Sequence, residues 1–314
     1  MLFRPVAMHI PDGFLTPAVS AIGWALAIVM ILVAVRQTRR QLGERQVPLM
    51  GILAAFIFAA QAINFPVAAG TSGHLLGGAL AAIVMGPWAA TLIMTAVIAV
   101  QGLLFQDGGL LVMGWNIVNM GILTAFSGYF LYTLVRRLVG DNSPARLAGA
   151  FAGAWVSVEI GAIATSLELA VSGTSPLNFG LPAMVGVHAL IGIGEALITV
   201  GAVAFLGATR PDVLRGGETA PGRRGASFVL MGLLLALAVA ILSPLASPSP
   251  DGLEAVAEGQ GFLDLGQAAP YEILPDYTIP FVSSPVLTTL LAVALGTVLV
   301  FAVAIAVGRV AARR

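Results

Sequence analysis

The chain has 314 residues, 58% hydrophobic and 10% charged, with zero formal net charge and no cysteine. A soluble domain carries roughly 25% charged residues, so a water-soluble globule is excluded. Disulfides, thiolate metal sites and cysteine nucleophiles are excluded with it. All 15 basic residues are arginine. A phosphate-binding P-loop needs lysine, so an ATPase that drives this protein must be another chain. No basic patch of the kind that binds nucleic acid stands out, and none is expected.

Mean hydropathy is +0.97, and several apolar runs reach the roughly 20 residues that cross a bilayer as helix. Backbone in lipid must satisfy its own hydrogen bonds, which leaves helices or closed barrels. These runs are continuously apolar rather than alternating, which excludes a barrel. An all-α polytopic membrane protein is therefore predicted, with the lipid bilayer as its first partner. Residues 1–7 are too short and too weakly apolar for a secretory signal.

In chain order, span 1 is predicted over 17–35 and ends at Arg36, Arg39, Arg40 and Arg45. Positive charge marks the cytoplasmic side, so the N-terminus is expected outside. Span 2 (48–65) returns outward to a loop ending at His74. Gly86-Pro87 divides the next apolar stretch into spans 3 (74–85) and 4 (88–105), since proline starts or breaks helices. Spans 5 (115–135), 6 (145–171) and 7 (183–206) follow. Residues 209–226 form an arginine-bearing linker, and spans 8 (227–245) and 9 (285–307) flank a loop with six acids and no base. This arrangement places every arginine except Arg4 inside, together with the C-terminus.

Polar groups in lipid are costly and face the bundle interior. Gln61, Asn64, Gln101, Asn116, Asn119, Glu159, Glu168, His188 and Glu195 are of this kind. They read either as interhelical hydrogen bonds, worth about 0.6 kcal/mol per pair, or as a polar network beneath a binding site. His188 and Glu195 lie two turns apart on one helix face, which suits structure or coupling better than joint ligation.

There are only three histidines, His9, His74 and His188. The first two are predicted at the same membrane face. A free amine on Met8, the amide nitrogen of His9 and His9 Nδ1 could chelate one ion, with His74 as fourth donor. Planar nitrogen sites suit Ni²⁺ or Cu²⁺, and Co²⁺ is possible. Ca²⁺ and Mg²⁺ prefer oxygen. Asp12-Gly13 is a turn signal that would fold the terminus back onto the bundle.

The stretch Met8-His9-Ile10-Pro11-Asp12-Gly13-Phe14-Leu15 resembles the opening signature of the CbiM/NikM family. These are the substrate-capture components of energy-coupling-factor transporters for cobalt and nickel. Asn64-Phe65-Pro66-Val67, Gly70-Thr71-Ser72-Gly73-His74-Leu75, Gly86-Pro87-Trp88, Gln101 with Asp107-Gly108-Gly109, and the stretch from His188 through Glu195 to Thr199 are similar too. Ser249-Pro250-Asp251-Gly252-Leu253-Glu254 resembles the two-span CbiN/NikN-type accessory component, or PDGLE domain. The resemblance implies a capture domain of about seven helices over 8–208, the linker at 209–226 and an accessory module over 227–314. It implies metal ligation by the terminal amine, His9 and His74; Asn64, Ser72, Gln101, Asp107, His188 and Glu195 are candidates for groups around or coupled to that site. It also implies a partner membrane (T) subunit and cytoplasmic ATPases in a prokaryotic plasma membrane. Ni²⁺ or Co²⁺ is then cargo, not cofactor.

Seven residues precede Met8, so the functional protein is expected to begin at Met8. The acidic loop is expected to speed cation arrival. Removing spans 8 and 9 is expected to leave the affinity of 8–208 nearly unchanged. Two other classes fit less well. An ion-coupled secondary transporter would use Glu159 or Glu195 as proton site. An intramembrane hydrolase would need a base or metal deep in the bundle, whereas His9 and His74 are placed at the surface.

Overall fold

The structure, a computed structural model, describes residues 9–41, 43, 46–215 and 223–312. Met8 lies outside them. Helix α1 spans Pro17–Gln41 and α2 Val47–Gln61. Helix α3 spans Gly78–Met85, and α4, Pro87–Val100, runs on as a π-helical turn through Phe105. Helix α5 (Met113–Asn116) passes through a second π-helical stretch, Ile117–Leu123, into α6 (Thr124–Val139). Then come α7 (Ser143–Val171) and α8 (Leu177–Thr209). Helices α9 (Arg223–Ala240), α10 (Gly252–Gln260) and α11 (Pro285–Ala312) complete the described chain.

Seven of these runs are long and apolar enough to cross a membrane. The protein is thus helical and multi-pass, as its hydropathy demands. Spans 2 and 3 are shorter than predicted. Helix α2 stops at Gln61, and α3 starts only after Gly77, whose φ of 84° terminates the extended segment ahead of it. Between them, Phe65–Pro66 and Ser72–Gly73 pair as a small antiparallel hairpin. Apolar composition alone does not separate a buried hairpin from a helix end. The break at Gly86-Pro87 is where the sequence puts it: Gly86 has φ 82° and Pro87 opens α4.

Helices α2 and α3 are buried on nearly every side. Helix α2 is enclosed by α4, α9 and α11, so the C-terminal helices pack directly onto the bundle. Helix α7 packs between α6 and α8. Helices alternate in direction, which leaves Arg39, Arg40, Arg136, Arg137, Arg210 and Arg309 at the end opposite His9. Exposed Ile22, Leu26, Val29 and Leu32 give α1 an apolar outward stripe suited to lipid.

The acid-rich stretch contains a helix that was not expected. Asp251 accepts from Glu254 N at 2.8 Å, and the Glu254 carboxylate accepts in return from Asp251 N at 3.3 Å. This reciprocal cap satisfies the open donors of α10. A second apolar cluster fastens α10 down: Leu253, Val256 and Phe262 pack with Ile10, Phe14 and Met184.

Candidate metal centre

The segment carrying His9 has little regular structure, and its conformation is dictated by partners distant in sequence. Asp12 places its carboxylate over the start of α5. It accepts from Leu110 N and Leu111 N at 2.9 Å each and from Val112 N at 3.2 Å. Val112 is the N-cap of the helix, whose first N–H groups the helix itself leaves open, and a negative charge is favoured there. Asn116 grips Ile10 twice, accepting from its N and donating to its O, both at 3.1 Å. Gly109 N donates to Ile10 O at 2.9 Å. A Cβ on Gly109 would collide with Asp12, so only glycine fits. On the other side Gln267 N donates to Asp12 O at 2.7 Å. The segment is thereby clasped between the 106–116 loop and the C-terminal module.

His9 is 3% exposed. Its Nδ1 donates to Asp107 Oδ1 at 2.8 Å and lies 3.2 Å from Asp107 O. Its Nε2 is buried without a hydrogen-bond partner. The chelate predicted from sequence uses Nδ1; the structure gives that nitrogen to Asp107 and leaves Nε2 as the orphan. Burial alone would depress the His9 pKa, but the adjacent Asp107 carboxylate outweighs it and holds the ring above the ordinary histidine value. Burial would likewise raise Asp107, and His9, with the Tyr277 hydroxyl and His74 adding to it, more than offsets that, leaving Asp107 below the usual carboxylate range.

His74 follows strand Ser72–Gly73. Its Nδ1 donates to Leu75 O at 3.0 Å. The next two residues are held by Glu195 from α8, which accepts from Leu76 N at 2.5 Å and Gly77 N at 3.0 Å. Gln61 donates to Leu76 O at 2.8 Å. Glu195 therefore shapes the His74 segment and does not line the cavity. The His9 and His74 rings lie 5.8 Å apart, tilted by 65°.

Both rings line a cavity of about 80 Å³, with His188, Asn116, Asn119 and Asp251 among its walls. His188 Nδ1 donates to Met184 O at 2.7 Å. All three histidines of the chain thus reach one cavity, each with Nδ1 facing an oxygen. Among the described residues, no group of three His, Asp or Glu side chains is close enough to hold one ion.

The remaining residues of interest sit at graded distances. Ser72 N donates to Pro250 O at 2.8 Å and its hydroxyl to Ser249 O at 2.7 Å, tying the His74 hairpin to the C-terminal module. Asn64 O accepts from Ser247 N at 2.8 Å, away from the cavity. Gln101 reaches the centre only through Tyr277, donating to its hydroxyl at 3.3 Å. Sequence reasoning missed Tyr277 and the place of Asp251, and had Asn116 only as one of the polar groups inside the spans. Asp251 carried a signal, because Asp-Gly-Leu-Glu reads as a capping box; Tyr277 carried none.

Beside the centre lies a chamber of about 560 Å³, bounded by Asp12, Glu254, Asp264, Glu272 and Asp276 among others. Burial, then neighbouring Asp251, pushes Glu254 up to about 8. Burial, then Asp107, pushes Asp276 up to about 6.

A multi-pass helical bundle with two buried imidazoles beneath a folded cap, next to an acidic chamber, is the architecture of a membrane protein that handles a cation. Comparison with known proteins gives the family. Residues 9–213 match the cobalt uptake substrate-specific transmembrane region (CbiM), and residues 226–313 match the PDGLE domain. The chain belongs to the CbiM family and is a membrane component of cobalt or nickel transport. It is 37% identical over 307 residues to a protein of Archaeoglobus fulgidus provisionally named a fused nickel transport protein, covering 97% of this chain and 99% of that one. It is 30% identical to the fused nickel transport protein NikMN of Rhodobacter capsulatus, covering 73% and 71%. It is 35% identical to the cobalt transport protein CbiM of Sorangium cellulosum, covering 66% and 94%. A crystal structure of a truncated transition metal transporter superposes with TM-score 0.57 at 33% identity, covering 63% of this chain and 97% of that one.

Proposed function

We propose that the chain is the capture subunit of an energy-coupling-factor transporter, binding Ni²⁺ or Co²⁺ at its extracellular face for ATP-driven uptake. The observation that supports this most is the pairing of His9 and His74. Two buried imidazoles from distant segments stand 5.8 Å apart over one small cavity, and one of them has an orphaned nitrogen. Imidazole suits Ni²⁺ and Co²⁺ and is a poor donor for Ca²⁺ or Mg²⁺. Two rings do not complete a coordination shell. In this reading the α-amine of Met8 and the adjoining main chain supply the rest. Binding would release protons from these donors and weaken as pH falls.

The reading places the His9 end outside and the arginine-rich end in the cytoplasm of a prokaryote, by the positive-inside rule. It assigns capture to 8–208, a linker to 209–226 and an accessory role to 227–314. A T subunit and cytoplasmic ATPases are its partners. The acidic chamber would concentrate cations beside the site, an effect that salt weakens.

The test is uptake of radioactive nickel and cobalt, each competed by the other, with and without functional partner ATPases. Loss of uptake when the ATPase is inactivated supports the proposal, and the competition identifies the cargo. Uptake that survives would favour ion coupling instead. One observation points that way: both carboxylate oxygens of buried Glu159 lack hydrogen-bond partners.

A further inference from the structure

Asp251 stands at the start of α10 in the C-terminal module, yet it lines the same cavity as His9, His74 and His188. It is only 3% exposed. Three sets of contacts hold it there. Ser72, two residues before His74, donates through its N to Pro250 O at 2.8 Å and through its hydroxyl to Ser249 O at 2.7 Å. Asp251 Oδ1 accepts from Glu254 N at 2.8 Å. Gly252 lies so close to α8 that a Cβ there would stand 2.7 Å from His188 Cε1 and 2.8 Å from Ile191 Cδ1.

A buried carboxylate is costly unless it is paired. The chain has no lysine. Among the described residues no arginine forms an ion pair with Asp251, and the arginine-rich helix ends lie at the opposite side of the bundle. The start of α10 offsets part of the charge, since a helix N-terminus carries roughly half a positive charge. What remains is a fixed negative charge in the wall of a cavity that imidazoles share.

We infer that Asp251 balances the charge of the captured ion. A divalent cation held by His9 and His74 gives this carboxylate its missing partner, and the carboxylate in turn retains the ion. The inference rests on the metal-capture reading above. Imidazole binds metal as the neutral ring, so the histidines leave the charge of the ion to be met by groups around them. Among the described residues no three His, Asp or Glu side chains close on one point, so Asp251 acts from the cavity wall as a charge and not as a ligand. Salt screens a buried pair far less than an exposed one, and losing a buried partner speeds release more than it slows arrival. The chamber acids would act on arrival and Asp251 on retention.

The test is Asp251→Asn in the full chain. Asparagine caps a helix as well as aspartate, and its oxygen can still accept from Glu254 N, so the charge alone is removed. Affinity for Ni²⁺ and Co²⁺ is measured by competition with a chromophoric chelator, and release by transfer of the ion to excess chelator. The expected result is an affinity about 10–100-fold weaker, as for other groups just outside the ligands. Most of it should appear as faster release, and it should persist at high salt. Thermal unfolding of the metal-free variant should lie at or above wild type, because the charge removed had no partner. Unchanged affinity would overturn the inference. So would a loss matched by destabilised or unfolded metal-free protein, which would make Asp251 a structural cap alone. A loss that vanishes at high salt would also overturn it, making Asp251 part of the general acidic field. Failure of the wild-type chain to bind either metal would overturn the capture reading itself, and that is seen before any variant is made.

Discussion

His9 and His74 face the same cavity but are held by different parts of the molecule. His9 is gripped at its ring, by a carboxylate with a tyrosine from the C-terminal module behind it. His74 is gripped at its backbone, where Glu195 and Gln61 from the bundle secure the residues that follow it. Its Nδ1 donates to the carbonyl of Leu75, the next residue. One donor is therefore held through its ring and linked to the accessory module. The other is held through the backbone that follows it and linked to the membrane core. Damage to one grip should leave the other in place.

The largest effects should come from the donors themselves. His9→Ala and His74→Ala should each abolish stoichiometric nickel and cobalt binding while the purified protein keeps its elution profile. Metal retained by either variant at wild-type stoichiometry would break the shared site. Asp107→Asn should come next, with affinity reduced about 10–100-fold and the fold retained. Asp107 takes no part in the backbone grip on the His74 segment, so a variant that unfolds rather than weakens would show that Asp107 is a structural prop.

Glu195→Gln tests the other arm. The glutamate accepts two backbone N–H groups while fully buried. Glutamine offers one oxygen and brings an NH₂ group that needs an acceptor. Leaving one buried polar group unsatisfied costs about 1–3 kcal/mol. Stability of the metal-free protein should fall by that amount, with a smaller loss of affinity than in Asp107→Asn. A variant with normal unfolding and greatly reduced affinity would instead put Glu195 in the same electrostatic role as Asp107.

The two arms also differ in how far they could be read from sequence. The bundle follows from apolar run lengths, and even the Gly86-Pro87 break is explicit in the chain. The pairing of His9 with His74 followed from counting spans and arginines. Glu195 was visible as a costly group in a span, although its use as a backbone clamp was not. The C-terminal contribution was nearly silent. Tyr277 sits in the acidic loop, which was expected only to speed cation arrival, and its hydroxyl meets Asp107 across 170 positions of chain. Contacts of that kind depend on tertiary packing, not on local pattern. They also revise one expectation. Because Tyr277 and Asp251 reach the centre from beyond the linker, removal of the C-terminal module should lower the affinity of what remains.

The smallest expected effect isolates the chamber from the donors. Glu254 caps α10 and has a pKa pushed from 4.5 up to about 8, first by burial and then by Asp251. A carboxyl that holds its proton more tightly folded than unfolded stabilises the fold at low pH. That contribution is complete below about 4.5 and is lost as pH rises through about 8. Glu254→Gln carries no titrating group and keeps an oxygen for Asp251 N. At pH 5 the variant and wild type should unfold together. At pH 9 the variant should be more stable, by about 1 kcal/mol once partial exposure is allowed for, or about 2–4 °C in midpoint for a chain above 150 residues. Thermal melts of metal-free protein at the two values measure this. Metal affinity at saturating salt should not move, because the His9 and His74 arms do not pass through Glu254. A pH-independent difference would mean that the charge is already relieved, by water or by a cation held in the chamber.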